Sequence, residues 1–231
     1  MTNKTVKLKD IGSVTFSGNI RSRNIKISVK PDKSVLVSFP YYASFKSVTE
    51  FVERNKAWIL RQQSKFENRL NIFSDNSVFK TKHFTVNFSN GFENKAERKE
   101  DRVFVTVKDF SSAESYAFIE KVITGIYRLE AINILPARLN KLAGQFGFSF
   151  NNVTVRNNKH NWGSCSSRNN ISLNLQMMKM PDELIDYILL HELVHTKIKN
   201  HGPVFWEKLN EITGNNARAL AKKTKQYSVY L

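Results

Sequence analysis

The segment PDELIDYILLHELVH, residues 181–195, predicts a buried helix. Pro181 suits a first helical turn, and the acidic residues Asp182 and Glu183 are stabilised by the positive end of the helix dipole. Leucine, isoleucine and valine cover most of the circumference of the turns that follow. Because a helix that is apolar nearly all round must be enclosed by other elements, we expect the fold to be built around this segment.

The last turns of that helix carry His191, Glu192 and His195 in the pattern His-Glu-x-x-His. Two histidines four residues apart lie about 40° from each other on one helix face, which lets both imidazoles bind one zinc ion. Glu192 lies about 100° round from His191, where a general base can take a proton from metal-bound water. A chance match of the pattern would instead leave two ordinary helix histidines and a solvated acid.

His201 is the candidate for a third metal ligand. On a straight helix it would lie about 9 Å further along the axis than His195, so the helix must end and the chain must fold back. Asn200 can take a left-handed cap conformation, and Gly202-Pro203 does not continue a helix easily. The spacing therefore predicts a helix end near Asn200 that returns His201 to the other two histidines.

The chemistry of this donor set is typical of an open catalytic zinc site, which uses three protein ligands and a water. Closed structural sites use several thiolates, and the only cysteine here is Cys165. If His201 faced water, Glu207 or Glu211 of the next helix would be rival third ligands. Cys165 itself is either a fourth, inhibitory ligand or a small buried apolar residue.

The composition is that of a globular protein, with 231 residues of which 41% are hydrophobic. Lys and Arg number 36 against 20 Asp and Glu, a formal charge of +16. This balance favours an anionic partner such as nucleic acid or a nucleotide, or reflects a lysine-rich solvated surface. A single cysteine suits a cytoplasmic location, and we expect no signal peptide and no membrane partner, since no apolar run approaches the roughly 18 residues needed to span a bilayer.

Periodicity along the chain predicts an α+β fold. Strands are predicted at 14–16, 24–29, 34–39, 84–88, 103–107, 153–156, 161–165 and 171–175. Helices are predicted over 47–70 and over 113–146, where Pro136 should kink or divide the second. Turns or loops are predicted at 31–33, 71–76 and 93–101. We expect a β-strand and helix subdomain over 1–110, packed against a metal-binding catalytic subdomain over 111–231.

Several short motifs occur together in the second half of the chain: Trp162-Gly163-Ser164-Cys165, Ile171-Ser172-Leu173-Asn174, Pro181, Ile185-Asp186-Tyr187, His191 to His195, and Asn200-His201 through Phe205-Trp206. Together they resemble the YgjP-like metallopeptidase family, a zincin group that is related more distantly to SprT-like and WLM proteases. The resemblance is most specific over 156–206, and Arg21 to Phe39 and Trp58 also suit it. It implies a zincin-like core, in which a small β-sheet packs on the active-site helix.

By the same resemblance, zinc is the cofactor, His191, His195 and His201 are its ligands, and Glu192 is the catalytic acid/base. A peptide or protein is then the substrate. The sequence departs from the family pattern at Asn161, where the pattern has Arg, and this departure concerns substrate preference rather than metal binding.

Candidates for substrate binding are Trp162, Gly163, Ser164 and Asn174, although the Trp162 segment can equally be a structural corner. The strand over 171–175 is a candidate to pair with an extended peptide substrate, unless it is an interior strand with no free edge.

Three functions follow from these patterns. The first is a zinc metallopeptidase that uses Glu192 to activate water. The second is a metal-dependent nucleotide triphosphate pyrophosphatase, which the basic charge suits but which a set of three imidazoles and the absence of a Gly-rich phosphate loop do not. The third is a DNA-associated protease or a nucleic-acid-binding module.

Overall fold

The computed structural model describes residues 3–30, 33–70 and 73–229, so the predicted turn at 31–33 and loop at 71–76 fall partly outside it. Its strands are β1 (Asn3–Leu8), β2 (Gly12–Asn19), β3 (Lys26–Val29), β4 (Val35–Pro40), β5 (Val78–Lys80), β6 (Thr85–Asn90), β7 (Lys95–Lys99), β8 (Arg102–Val107), β9 (Asn152–Arg156), β10 (Gly163–Cys165) and β11 (Asn170–Asn174). Its helices are α1 (Phe45–Arg54), α2 (Lys56–Leu70), α3 (Ala113–Phe146), α4 (Asp182–Val194), α5 (Pro203–Ile212) and α6 (Ala217–Thr224), with a 3₁₀ helix at Leu175–Lys179. This mixture of helices and small sheets confirms the α+β class. Among the described residues, no helix combines the length and apolar character needed to cross a bilayer.

The chain divides by its internal contacts into two compact units. The first unit contains the residues up to Asp75 together with Val107–Tyr116. The second contains Asn76–Thr106 and the residues from Ala117 onward. The assignment of separate functions to residues 1–110 and 111–231 stays a prediction.

The first unit is a four-stranded sheet with two helices. The strand order is β1-β2-β4-β3, in which β2 and β4 run parallel and the outer pairs are antiparallel. Alternate residues of the central strands supply the core, and helical spacing on α1 and α2 supplies the rest. The buried cluster consists of Ile11, Val14, Phe16, Val35, Val37, Val48, Val52 and Ile59.

The segment predicted as one helix over 47–70 forms two helices, because helical geometry is interrupted at Asn55. Asn55 leaves helical geometry at φ −97° and ψ 8°, and its side-chain Nδ2 donates to the carbonyl of Phe51 at 2.8 Å. A side chain that bonds the backbone locally competes with the helical ladder. At the other end, the Ser44 hydroxyl accepts from the backbone N–H of Ser47, so α1 begins slightly earlier than predicted.

The second unit contains α3 from Ala117 onward, and this helix is continuous through Pro136. The helix is therefore not divided at Pro136, and a kink there stays a prediction. Proline removes one backbone hydrogen bond, but packing of a buried face supplies most of a helix's stability in a protein. On either side of Pro136 that face carries Tyr127, Leu135 and Leu139, each at most 1% exposed.

A second four-stranded sheet, in the order β5-β6-β8-β7, belongs mainly to this unit. The turn predicted over 93–101 contains β7, which pairs with β8. Every residue of β7 is exposed, so the strand shows no apolar alternation by which a sequence pattern could find it. Charged side chains on an edge strand also discourage pairing with other chains.

The third sheet has the order β10-β11-β9, with β10 antiparallel and β9 parallel to β11. β11 is therefore an interior strand, and the prediction that 171–175 offers a free edge to a substrate is wrong. α4 packs against β10 on one side and against α5 and α6 elsewhere. Ion pairs from Arg138 of α3 to Asp182 and Asp186 fix the first turns of α4.

Candidate metal centre

The helix that carries the histidine motif begins as predicted and ends earlier than predicted. α4 starts at Asp182 after an extended Pro181, and its last residue is Val194, with His195 as the C-cap. Asn200 does not adopt a left-handed conformation, so the predicted cap at Asn200 is wrong. Instead, Thr196 donates from both its backbone N–H and its hydroxyl to the Leu193 carbonyl, which tightens and closes the last turn.

The chain then returns His201 to the helix, as the spacing predicts. Gly202 is the extended N-cap of α5 and Pro203 is its first residue, so the fold-back is complete by His201. The three Nε2 atoms of His191, His195 and His201 converge at separations of 3.0, 3.1 and 3.2 Å. Among the described residues, these three form the group able to hold a metal ion.

The spacing of the three nitrogens can be compared with what zinc requires. In a tetrahedral site with Zn–N bonds of about 2.0–2.1 Å, two ligand nitrogens lie about 3.3–3.4 Å apart. The separations here, from 3.0 to 3.2 Å, are slightly tighter and need only small side-chain rotations to match. The three imidazoles therefore fit a zinc ion, and within the described part of the chain no fourth side-chain ligand joins them.

The surroundings of His191 and His195 favour the neutral, metal-binding form of these two imidazoles. Burial lowers the pKa of His191 to about 3 and also lowers the pKa of His195. The Nδ1 atom of His195 lies 3.0 Å from the Ile198 carbonyl, so it carries the ring proton and leaves Nε2 with its lone pair toward the centre. A neutral imidazole with a fixed tautomer, such as that of His195, binds metal without first releasing a proton.

Phe205 is a further residue of this centre that the sequence did not identify. Its ring is completely buried and lies 4.9 Å from the ring of His191, 4.6 Å from that of His195 and 4.7 Å from that of His201, measured between centroids. The helical spacing of Phe205, Trp206, Leu209 and Ile212 predicts core positions that hold the His201 turn in place, but it does not predict a contact with all three imidazoles. The sequence signal for this contact is the position of Phe205, an aromatic residue four positions after the predicted ligand His201.

Glu192 lies beside this centre in a nearly closed position. Its side chain is 5% exposed, its Oε2 has no hydrogen-bond partner among the described residues, and burial raises its pKa to about 8. The backbone of Gly163 on β10 passes so close that a Cβ atom there would lie 2.8 Å from both Cγ and Oε1 of Glu192. Gly163 is thus required for the close approach of β10 to this carboxylate.

Comparison with known proteins identifies the family. A family model described as YgjP-like, metallopeptidase domain, matches residues 23–226. The chain belongs to the YgjP-like family. It is therefore a metal-dependent peptidase of that family, as the resemblance predicted.

Two solved structures are similar to part of the YgjP-like domain. They are the metallopeptidase zymogens jannalysin of Methanocaldococcus jannaschii, 28% identical, and abylysin of Pyrococcus abyssi, 21% identical. Each has a TM-score of 0.36 and covers 40% of this chain and 94% of its own. No curated protein matches the chain.

The predicted substrate-binding residues of the YgjP-like domain occupy different environments. Gly163 and Ser164 lie on β10, with Trp162 just before it; Ser164 is exposed, and Trp162 is half-buried under the ammonium of Lys179. Asn174 is 1% exposed. Its Nδ2 donates to two backbone carbonyls, and its Oδ1 accepts from the N–H of Gln176. The environment of Asn174 is that of a structural residue, whereas Ser164 is open to solvent.

Cys165 and Asn161 also have defined surroundings. The Cys165 thiol is half-buried, is not part of the histidine group, and lies 3.8 Å from the ammonium of Lys199. Lys199 also donates to Ser166 and Asn169, which ties the loop before His201 to the turn that joins β10 and β11. Asn161, at the position where the family pattern has Arg, is exposed and accepts a side-chain hydrogen bond from Asn158.

Proposed function

We propose that the chain is a zinc-dependent peptidase in which His191, His195 and His201 hold the ion and Glu192 is the general base. The observation that carries this proposal is the convergence of three Nε2 atoms within 3.2 Å of one another, at the end of the helix on which Glu192 is buried. Neutral imidazoles are donors that zinc prefers, whereas magnesium and calcium prefer oxygen ligands. A zinc ion held there would polarise a peptide carbonyl and lower the pKa of water.

The proton is handled by Glu192. Its Oε2 is buried and has no hydrogen-bond partner in the described ranges of the chain, which leaves one oxygen to accept a proton from the attacking water. The same oxygen can then return that proton to the leaving amine. Because Gly163 presses on Cγ and Oε1, the carboxylate has little freedom to turn away. The low exposure of Glu192 also keeps bulk water from competing for Oε2.

The free edge of β10 supports a peptide substrate. Hydrogen bonds from Asn174 N–H to the Trp162 carbonyl and from Ser166 N–H to the Asn170 carbonyl fix which residues of this strand face β11. Backbone groups alternate in direction along an antiparallel pair, so Gly163 and Cys165 direct theirs toward the open edge. An extended peptide can add there as a strand, next to Glu192. In this proposal, β10 replaces the interior β11 as the pairing strand.

Two variants test the proposal. Glu192→Gln keeps the shape of the side chain and removes the base, so we expect peptide cleavage to be lost while bound zinc is retained. His201→Ala removes one ligand, so the zinc content of the purified protein should fall. Full activity of Glu192→Gln, or an unchanged zinc content in His201→Ala, would contradict these roles.

The nucleotide pyrophosphatase alternative is tested with the same two proteins. Wild type and Glu192→Gln are incubated with a panel of nucleoside triphosphates and with a peptide library. The metal content of each protein preparation is measured in parallel. If wild type releases pyrophosphate but cleaves no peptide, and Glu192→Gln releases none, the proposed activity changes from peptidase to nucleotide hydrolase. The metal site would then remain as proposed.

A further inference from the structure

One end of the sheet in the first unit collects residues that the peptidase site does not use. β2 and β4 are parallel and stay in register up to the pair Asn19 and Pro40, so their carboxyl ends lie side by side. The residues that follow them, Ile20 and Tyr41, therefore emerge at the same end of the sheet. β3 is antiparallel to β4, so its first residue, Lys26, lies at this end too.

The apolar side chains at this end are exposed to an unusual degree. Ile20 is 83% exposed, Tyr41 is 69% exposed and Tyr42 is 71% exposed. The two tyrosine rings contact each other edge to face, with 5.6 Å between their centroids. Phe45, which begins α1, is 41% exposed and has the ammonium of Lys4 4.8 Å above its ring. Several aromatic faces thus meet solvent within one short stretch of surface.

Cationic side chains accompany these apolar residues. The exposed ones are Lys4, Arg21, Arg23, Lys26 and Lys46. From Ile11 to Thr49 the sequence has six Lys and Arg residues and one acidic residue, Asp32. We call this set of five cations, together with Ile20, Tyr41, Tyr42 and Phe45, the Tyr41 surface.

We propose that the Tyr41 surface binds single-stranded nucleic acid. Exposed aromatic rings stack with unpaired bases of any sequence, and cations beside them neutralise the phosphates. A double strand would leave the rings without partners, because its bases are already stacked. A protein partner is a poorer match, since lysine is depleted and charge is sparse in the centre of protein interfaces.

This binding function is additional to the proposed peptidase activity. All of its residues belong to the first unit, whereas the histidine group and Glu192 belong to the second. Loss of nucleic-acid binding would leave the assignment of the metal site intact, and loss of metal would leave the Tyr41 surface intact. The two proposals can therefore fail separately.

The test is fluorescence anisotropy with a labelled oligothymidylate over a range of salt concentrations. Wild type should bind at low salt, with log affinity falling against log salt at a slope of about −3 if most of the five cations contact phosphates. Tyr41→Ala combined with Tyr42→Ala should weaken binding at least about tenfold with little change in slope, because stacking is not ionic. Arg21→Gln combined with Arg23→Gln should reduce the slope by about 1.4.

A matched control uses two exposed cations of the second unit, Lys222 and Lys225. Lys222→Gln combined with Lys225→Gln changes the net charge equally and should leave affinity and slope near those of wild type. No binding by wild type at low salt would overturn the proposal. An equal loss in the control would also overturn it, because binding would then follow net charge alone.

Two further measurements separate stacking from other effects. Heparin carries dense charge and no bases, so the double tyrosine-to-alanine variant should bind it as wild type does; an equal loss for heparin would contradict base stacking. If Tyr41→Ala combined with Tyr42→Ala lowers Tm, the role of the rings is tested instead with Tyr41→Phe combined with Tyr42→Phe. This pair keeps both rings and should keep wild-type affinity, and a tenfold loss would overturn the proposal.

Discussion

Gly163→Ala is the sharpest probe of how the carboxylate of Glu192 is held. The backbone of Gly163 does not have a positive φ, so alanine can adopt it without strain. The new Cβ would, however, lie 2.8 Å from Cγ and Oε1 of Glu192, where ordinary contact begins near 3.4 Å. The carboxylate must therefore retreat by about 0.6 Å, in the range where misplacement of a catalytic group by ~1 Å costs about 100-fold in rate.

We expect kcat of Gly163→Ala on a cleaved peptide to fall by about 10- to 100-fold. The three histidines are not touched, so zinc content should match that of wild type. Overpacking of this kind costs about 1–3 kcal/mol, so a moderate fall in Tm should accompany the loss. The measurements are kcat, metal content and Tm on the same preparations.

Gly144→Ala is the matched control, because a Cβ at Gly144 in α3 meets nothing within 4 Å. It should leave kcat unchanged and raise stability by about 0.5–1 kcal/mol, since glycine in a helix interior is less favourable than alanine. Wild-type kcat in a folded Gly163→Ala protein would refute the reasoning. So would a loss of zinc as large as the loss of activity, because the carboxylate would then not be the cause.

Three other substitutions test the supports of the site. Phe205→Leu removes the ring that all three imidazoles contact, and should weaken zinc affinity about tenfold or more in competition with a chelator; unchanged affinity would assign Phe205 to packing alone. Lys82, and after it Arg138, hold the pKa of Asp182 below its usual range, so this carboxylate stabilises the fold above about pH 4 and loses its contribution as the pH falls through the lowered pKa. Asp182→Asn should therefore lower Tm by up to about 3 °C at neutral pH, with no difference from wild type in strong acid. Asn174→Ala should lower Tm and leave KM unchanged; a raised KM at constant Tm would instead place Asn174 against the substrate.

The parts of the site that the sequence predicted are those that depend on local geometry. Four-residue spacing on a helix brings His191 and His195 together whatever the rest of the chain does. The return of His201 also follows from a short segment, because a helix cannot deliver it. The predicted position of the helix end was wrong, since the end is set by Thr196 bonding back to Leu193.

The parts that the sequence could not predict depend on contacts between distant elements. The alternation of Ile171 and Leu173 is the same in an interior strand and in an edge strand, so it does not identify the free edge. That edge belongs to β10, and only the order β10-β11-β9 reveals it. The contact between Gly163 and Glu192 and the placement of Phe205 under three rings likewise arise from the packing of β10 and α5 on α4.

The close approach of β10 to Glu192 also bears on how the parts of the site form during folding. The three imidazoles come from one continuous stretch, with His191 and His201 only ten residues apart, and such short-range contacts form early as a chain folds. The position of the Glu192 side chain depends on contact with β10. This strand precedes α4 in the chain and is joined to its sheet by pairing with β11. The contacts that join the three proposed ligands are thus local, whereas the contact that positions the proposed base is long-range, so we expect the two parts of the site to form independently.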